Sequence, residues 1–391
     1  MNIIRANIRQ FGMIIVLIVV SILFQILTPG TFFNPRNIAN LVLQNSYIFI
    51  LAIGMMFVIL TGRIDLSVGT LLAFTSALSG LLMIQWGLSM WVAIPAILLL
   101  GALLGAWNGY WIAYQNIPFF VVTLAAMLIY RGLTMLTLEG GTLSGFPPVF
   151  NNFAAGFIPD IFGGAGNLNI TAIIICALVS VVLIIIELRR RVVTRKYGAA
   201  VSPIPFLIVK LALLVGAVNL FGFLFAQHRG VPIILVLLGF LIIVYSFVAN
   251  NTVLGRQIYA TGGNAKAAEL TGIKTKRVVF WVYVNMGMLA ALAGMVFAAR
   301  LNAASPRAEA GFELQAIAAC FIGGAAPTGG IGKITGAIIG ALLMGVLSNG
   351  LGLLGMGADI QLGITGLVVL AAVTFDVFTR TKVAKSAKAS V

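Results

Sequence analysis

The sequence predicts an all-α, polytopic membrane protein with about 10–12 transmembrane helices, and three observations carry that reading. Hydrophobic residues make up 61% of the chain and charged residues only 8%, with a mean hydropathy of +1.12, a balance that excludes a water-facing surface. Apolar runs of about 18–24 residues recur from end to end. At ~1.5 Å per residue each can cross a ~30 Å hydrocarbon core. The basic residues, finally, sort by side of the membrane.

The runs fall at about 11–28, 41–60, 67–84, 91–113, 119–138, 170–188, 206–226, 232–250, 278–300, 313–327, 334–355 and 361–379. The tenth is short and the joins at 61–67 and 327–334 are tight, so ten full crossings with broken or re-entrant segments fit as well as twelve. With the N-terminus inside, cytoplasmic segments hold 18 of the 24 Lys and Arg residues, while the opposite loops hold only Arg36, Arg229, Arg300 and Arg307. That bias places both termini in the cytoplasm. The clusters abut membrane spans, which reads them as topology signals and not as a nucleic-acid footprint, despite the net charge of +15.

The first run follows Arg5 and Arg9 but is too long for a signal peptide and lacks a small-x-small cleavage site, so it reads as an uncleaved helix. Cys176 and Cys320 lie in apolar runs and imply neither a disulfide nor a metal site. The chain reads as one membrane domain, 1–391, with three excursions. The external loop 139–169 is too rich in Gly, Pro and Asn for a long helix, and it is either a docking surface or a plain connector. A basic cytoplasmic loop spans 189–205, and a second cytoplasmic loop spans 251–277.

The 251–277 loop has helix chemistry. Asn264 is a good N-cap, 265–271 are helix formers and Gly272 suits a left-handed terminator. About seven residues are too few to be stable alone, since ~12–15 are needed for marginal stability, so tertiary contacts or a partner must hold this helix. Ala267, Leu270 and Ile273 fall on one small apolar face that would fit a shallow groove. The competing reading is a loop folded back on its own membrane domain.

Two glycine-rich stretches, 61–70 and 321–336, join apolar runs without a polar loop, which points to discontinuous segments around a central pathway. In the second, Gly332-Lys333 fails as a phosphate loop, because Pro327 stands at the first Gly and Ile334 at the hydroxyl position. No nucleotide engine is expected on this chain. Asp65 reads either as a cap for the following helix, neutralised by Arg63, or as a pathway acid, with Ser67 beside it. Gln44, Asn45, Trp107, Asn108, Asn285, Gln315 and Asn349 are candidates for a pathway carrying a neutral polar solute, and equally for interhelical hydrogen bonds. His228 lies in a short external loop beside Arg229, and neither a catalytic set nor a metal cluster is legible, so the chain is expected to be a transport subunit and not an enzyme.

The blocks Gly-Arg-Ile-Asp-Leu-Ser-Val-Gly (62–69), Gly-Ala-Trp-Asn-Gly (105–109), Pro-Phe-Phe-Val-Val-Thr-Leu-Ala-Ala-Met (118–127), Tyr-Ala-Thr-Gly-Gly-Asn (259–264), Ala-Ala-Glu-Leu-Thr-Gly-Ile (267–273) and Ile-Gly-Gly (322–324), in this order, resemble those of bacterial monosaccharide ABC-importer permeases over almost the whole chain. The segments at about 189–250 look more like the longer xylose and multiple-sugar branch than the ribose type. The resemblance implies an inner-membrane permease, with xylose or a related aldose as cargo. Its implied partners are membrane lipid, a second permease copy in a homodimer, a cytoplasmic ATPase carrying ATP and Mg, and an extracytoplasmic sugar-binding protein. It also implies that Gly263, Asn264, Ala267, Ala268, Gly272 and Ile273 belong to a coupling helix seated on the ATPase. The alternative from another class is an ion-coupled secondary transporter of a small neutral solute, against which the scarcity of membrane acids counts.

Overall fold

A computed structural model describes residues 2–163, 168–198, 204–306, 311–357, 359–368, 370–371 and 374, with side chains described from Gly12 onward. Arg307, the basic tail from Arg380 to Lys388 and the end of the twelfth apolar run lie outside these residues. The helices are α1 (Asn2–Leu27), α2 (Pro35–Leu60), α3 (Val68–Gly80), α4 (Met90–Ala113), α5 (Phe119–Leu138), α6 (Pro148–Ala155), α7 (Ile170–Lys196), α8 (Ile204–Ala226), α9 (Ile234–Asn251), α10 (Val253–Gly263), α11 (Ala265–Leu270), α12 (Thr275–Leu301), α13 (Phe312–Ile322) and α14 (Ile334–Leu353). A π-helical turn, Leu81–Gln85, extends α3.

Among the described residues nine helices are long and apolar enough to cross a membrane, and three shorter apolar helices, Gly12–Leu27, Phe312–Ile322 and Asp359–Val368, account for the remaining runs. The protein is therefore a polytopic α-helical membrane protein with broken segments. Its centre is α12, packed against α2, α3 and α4, with α13 and α14 closing on α2. Helices α2 and α12 are mostly buried in protein, whereas α7 and α8 pack chiefly on each other and expose most of their surface. Backbone proximity holds the centre together, as expected where lipid removes the hydrophobic drive between helices. A Cβ added to Gly105 of α4 would lie 2.3 Å from the Tyr283 carbonyl oxygen of α12, and one on Gly287 would lie 2.2 Å from the Gly101 carbonyl oxygen.

Two loop expectations need correction. The basic segment expected as a loop at 189–205 is helical as far as Lys196, so Arg189, Arg190, Arg191, Arg195 and Lys196 lie on the last turns of α7. Cations there complement the negative end of the helix dipole, which lets α7 continue beyond its apolar stretch. The 251–277 loop contains two helices, α10 and α11, where one was expected. Within α7 and α8 the Glu187 carboxylate accepts from Lys210 Nζ at 2.5 Å, and Ser180 Oγ accepts from Asn219 Nδ2 at 2.8 Å. These contacts tie the peripheral hairpin.

Among the described residues of segment 139–169 no long helix forms, as expected, and the segment is tied to the rest of the fold. Strand β1 (Leu143–Ser144) pairs antiparallel with β2 (Ala303–Ala304), Leu143 opposite Ala304. Asn302 Oδ1 accepts from Phe146 N at 2.8 Å and from Asn151 Nδ2 at 2.9 Å. Asp160 organises the start of α7: it accepts from Thr171 Oγ1 at 2.8 Å and from the Thr171, Phe162 and Ile170 amides at 3.2–3.3 Å. The Thr171 hydroxyl and these amides hold the Asp160 carboxyl below its ordinary value. A depressed carboxyl contributes stability above the unfolded value of about 4, and loses it as pH falls through the lower folded value. Exchange protection of the Ile170 and Thr171 amides is accordingly expected to fall below about pH 4, and Asp160→Asn should remove most of that pH dependence.

Candidate functional site

The α10–α11 unit is built from local capping chemistry. Thr252 Oγ1 accepts from Gly255 N at 3.2 Å to open α10. Asn264, extended at φ −159°, interrupts the helix, and its Oδ1 accepts from Ala267 N at 3.0 Å to open α11. Gly272 closes α11 in the left-handed region at φ +86°, a conformation that favours glycine. Glu269 accepts from the Thr275 hydroxyl, which fixes α11 against the start of α12. The orientation differs from the expected face. Ala268 is only 4% exposed and points into its own chain, Ile273 is half-buried, and Leu270 is 90% exposed beside exposed Ala267. Six residues make fewer than two turns, so α11 can bury one side against α10 and α12 and must leave the other open.

Just behind α10, three segments distant in sequence meet at the backbone. The amide of Gly330 donates to the Leu60 carbonyl at 2.9 Å, joining the two glycine-rich breaks. Gly329 (φ +86°) lies against Gly62, and a Cβ on Gly262, at the end of α10, would sit 1.7 Å from the Leu60 carbonyl oxygen. Tyr259 of α10 adds a hydrogen bond from its hydroxyl to the Gly332 carbonyl at 2.8 Å. Displacement of α10 must therefore move both the end of α2 and the α13–α14 connection. The sequence marked both breaks as glycine-rich but gave no sign that Gly262 and Gly263 complete their junction.

Beyond the junction lies a buried polar chain. Asp65 is 3% exposed, and its Oδ1 accepts from Ser67 N at 2.9 Å and Ser67 Oγ at 2.6 Å. Ser67 Oγ accepts from Asn108 Nδ2 at 3.0 Å, and the Tyr130 hydroxyl donates to the Leu104 carbonyl at 3.2 Å and reaches Asn108 Oδ1 at 3.5 Å. Arg63 does not neutralise Asp65: its guanidinium donates to the Thr61 carbonyl at 2.9 Å. Asp65 thus forms the turn into α3 and links it to α4. Asp65→Asn, which retains an acceptor for both Ser67 donors, is expected to keep the wild-type unfolding temperature in detergent. Asp65→Ala orphans them and should cost about 1–3 kcal/mol, read by thermal unfolding in detergent. Sequence reasoning missed a second acid nearby, Glu313, whose Oε2 would lie 2.2 Å from a Cβ on Gly69 at the start of α3.

The other candidate amides do not converge on one pathway. Asn349 and Asn37 exchange hydrogen bonds between α14 and α2 at 2.9 and 3.0 Å. Asn285 accepts from the Tyr245 hydroxyl, joining α12 to α9. Asn45 donates to the Leu41 carbonyl of its own helix at 2.8 Å. Trp107 is 53% exposed and stacks edge-on to Trp111 at 5.5 Å, so it faces outward and not into an interior path. Gln315 differs, because its Oε1 accepts from the Tyr47 hydroxyl at 3.4 Å beside an aromatic cluster. Tyr47, Phe297 and Phe312 have ring centroids 4.4–5.2 Å apart, and Gln44 lies one turn before Tyr47 on α2. These aromatics come from three helices and carry no shared spacing in the sequence.

A many-spanning helical core with broken segments and a short capped helix at one end is consistent with a membrane permease. The profile described as branched-chain amino acid transport system / permease component matches residues 37–373, and the chain belongs to that family, among the monosaccharide ABC-importer permeases of the bacterial inner membrane. The xylose transport system permease protein XylH of Haemophilus influenzae is 35% identical over 378 residues, covering 96% of this chain and 98% of that protein. XylH of Escherichia coli strain K12 is 35% identical over 375 residues, covering 96% and 93%. The ribose import permease protein RbsC of the same strain is 34% identical over 372 residues, covering 95% of each chain. No solved structure matches the chain.

Proposed function

We propose that the chain is the transmembrane subunit of an ATP-driven, binding-protein-dependent monosaccharide importer, with xylose or a related aldose as its cargo. End-to-end similarity to xylose and ribose permeases supports a sugar, and the xylose relatives match at 35% identity. Leu270 carries the partner part of the reading, because a leucine 90% exposed on a six-residue helix is a poor solution for a solitary chain and a good one for a chain docked in a groove. In this reading α11 seats on a cytoplasmic ATPase that holds ATP and Mg. The excess of basic residues at the same end supports a cytoplasmic location for it. A second permease copy completes the membrane unit, and a sugar-binding protein delivers cargo at the end carrying β1, β2 and α6. The Tyr47, Phe297 and Phe312 rings, with Gln44 and Gln315, offer apolar faces and amides of the kind a sugar ring requires.

One observation favours an ion-coupled carrier instead: Asp65 and Glu313 both stand at the start of α3. Labelled xylose uptake separates the two readings. Chain-dependent uptake that survives an uncoupler and fails on ATP depletion supports the importer, and the reverse pattern supports the carrier. Absence of chain-dependent xylose uptake removes xylose as cargo.

A further inference from the structure

Between α10 and the first two turns of α12 lies a notch of about 350 Å³, lined by Leu254, Gln257, Gly272, Lys274, Arg277 and Trp281 among others. Its chemistry is divided. Lys274 and Arg277 are exposed cations, and among the described residues neither is in an ion pair. The acid of α11, Glu269, is held by the Thr275 hydroxyl and does not line the notch. The other wall is apolar and open to the surroundings, with Leu254 41% and Trp281 58% exposed.

The depth of the notch is fixed by an aromatic belt. Trp107, Tyr110 and Tyr114 at the end of α4 are all exposed, and Tyr114 approaches Phe280 at 5.7 Å, which in turn meets Trp281 at 5.5 Å. Exposed Trp and Tyr gather at the headgroup level of a bilayer. The notch therefore stands where phospholipid phosphates lie, with its apolar wall toward the acyl chains and its cations toward water. The positive end of the α12 dipole points the same way.

We propose that this notch binds the phosphodiester headgroup of an anionic phospholipid, with Arg277 and Lys274 on the phosphate and Trp281 and Leu254 along the first part of the acyl chain. Guanidinium offers a forked donor set to phosphate oxygens, ammonium adds a point charge, and a basic site at this depth selects anionic lipid. The site adjoins Gly272, so an occupying lipid would brace the junction between α11 and α12.

The test is retention of phosphatidylglycerol on the full-length permease, measured by native mass spectrometry after extraction from nanodiscs containing equal phosphatidylglycerol and phosphatidylcholine. Wild-type protein is expected to keep phosphatidylglycerol selectively, and the Lys274→Gln, Arg277→Gln double variant to bind it about tenfold more weakly or worse, a fold-change matching the loss of charged phosphate contacts. Arg189→Gln with Arg190→Gln, which removes the same charge from α7, should leave retention unchanged. Equal retention by wild type and the notch variant overturns the site, as does an equal loss in the α7 control. Displacement by millimolar glycerol phosphate would assign the notch to a soluble phosphate and not to lipid. Loss of bound lipid when a purified ATPase subunit docks would make the notch part of a protein interface, and that too overturns the proposal. A size-exclusion profile matching wild type establishes that the variants are folded.

Discussion

Alanine at Gly262 is expected to abolish uptake and to lower the stability of the permease by about 3 kcal/mol or more, whereas alanine at the adjacent Gly263 leaves stability within about 0.5 kcal/mol. The contrast follows from two backbone environments one residue apart. A methyl group on Gly262 would fall 1.7 Å from the Leu60 carbonyl oxygen and 2.7 Å from the Gly330 amide, the two groups whose hydrogen bond joins the glycine-rich breaks. No rotamer change relieves a clash with backbone, so α10 must move away or the bond must break. At Gly263 an added Cβ meets nothing within 4 Å, and its φ is not positive. Thermal unfolding in detergent reads the stability term, and sugar uptake reads the mechanical one. Wild-type stability and uptake in Gly262→Ala would mean that the junction yields and does not transmit force.

That junction also shows where sequence reading stops. The caps Thr252, Asn264 and Gly272 involve partners within a few residues, and for Asn264 and Gly272 residue type and spacing alone indicated the outcome. The crossings were legible for a similar reason, because length and hydropathy are properties of one segment. Contacts among Leu60, Gly262 and Gly330 join segments far apart in the chain, and glycine in a membrane helix serves packing, kinks and turns alike. Trp107 misled for another reason. In a soluble protein an exposed face is polar and a buried one apolar, but in lipid both are apolar, so composition cannot tell Trp107 on the outside from Tyr47 in the interior. The amides were ambiguous on the same ground. Asn37 paired with Asn349 and Tyr245 paired with Asn285 are interhelical locks, and only the fold shows these partners.

A charge at Leu270 should sever the permease from its ATPase without unfolding it. The local pattern Ala267, Leu270 and Ile273 suggested a presented face, and the family resemblance implied that Ala268 belongs to the helix seated on the ATPase. The structure reverses Ala268: at 4% exposure it is the inward residue of α11, so Ala268→Arg would force a long cation against its own chain and destabilise the α10–α12 region by about 1–3 kcal/mol. Loss of uptake in that variant would say nothing about a partner. Leu270, at 90% exposure, has no intramolecular role to lose. Leu270→Asp is therefore expected to match wild type in unfolding temperature and size-exclusion profile while binding the ATPase about thirtyfold more weakly, the effect of deleting an interface anchor worth about 2 kcal/mol. Uptake should fall with binding, and Leu270→Met, which keeps an apolar side chain of similar volume, should restore both. If Leu270→Asp co-purifies with the ATPase and transports normally, α11 does not dock there. Its exposed leucine would then have to meet lipid or a second copy of the chain.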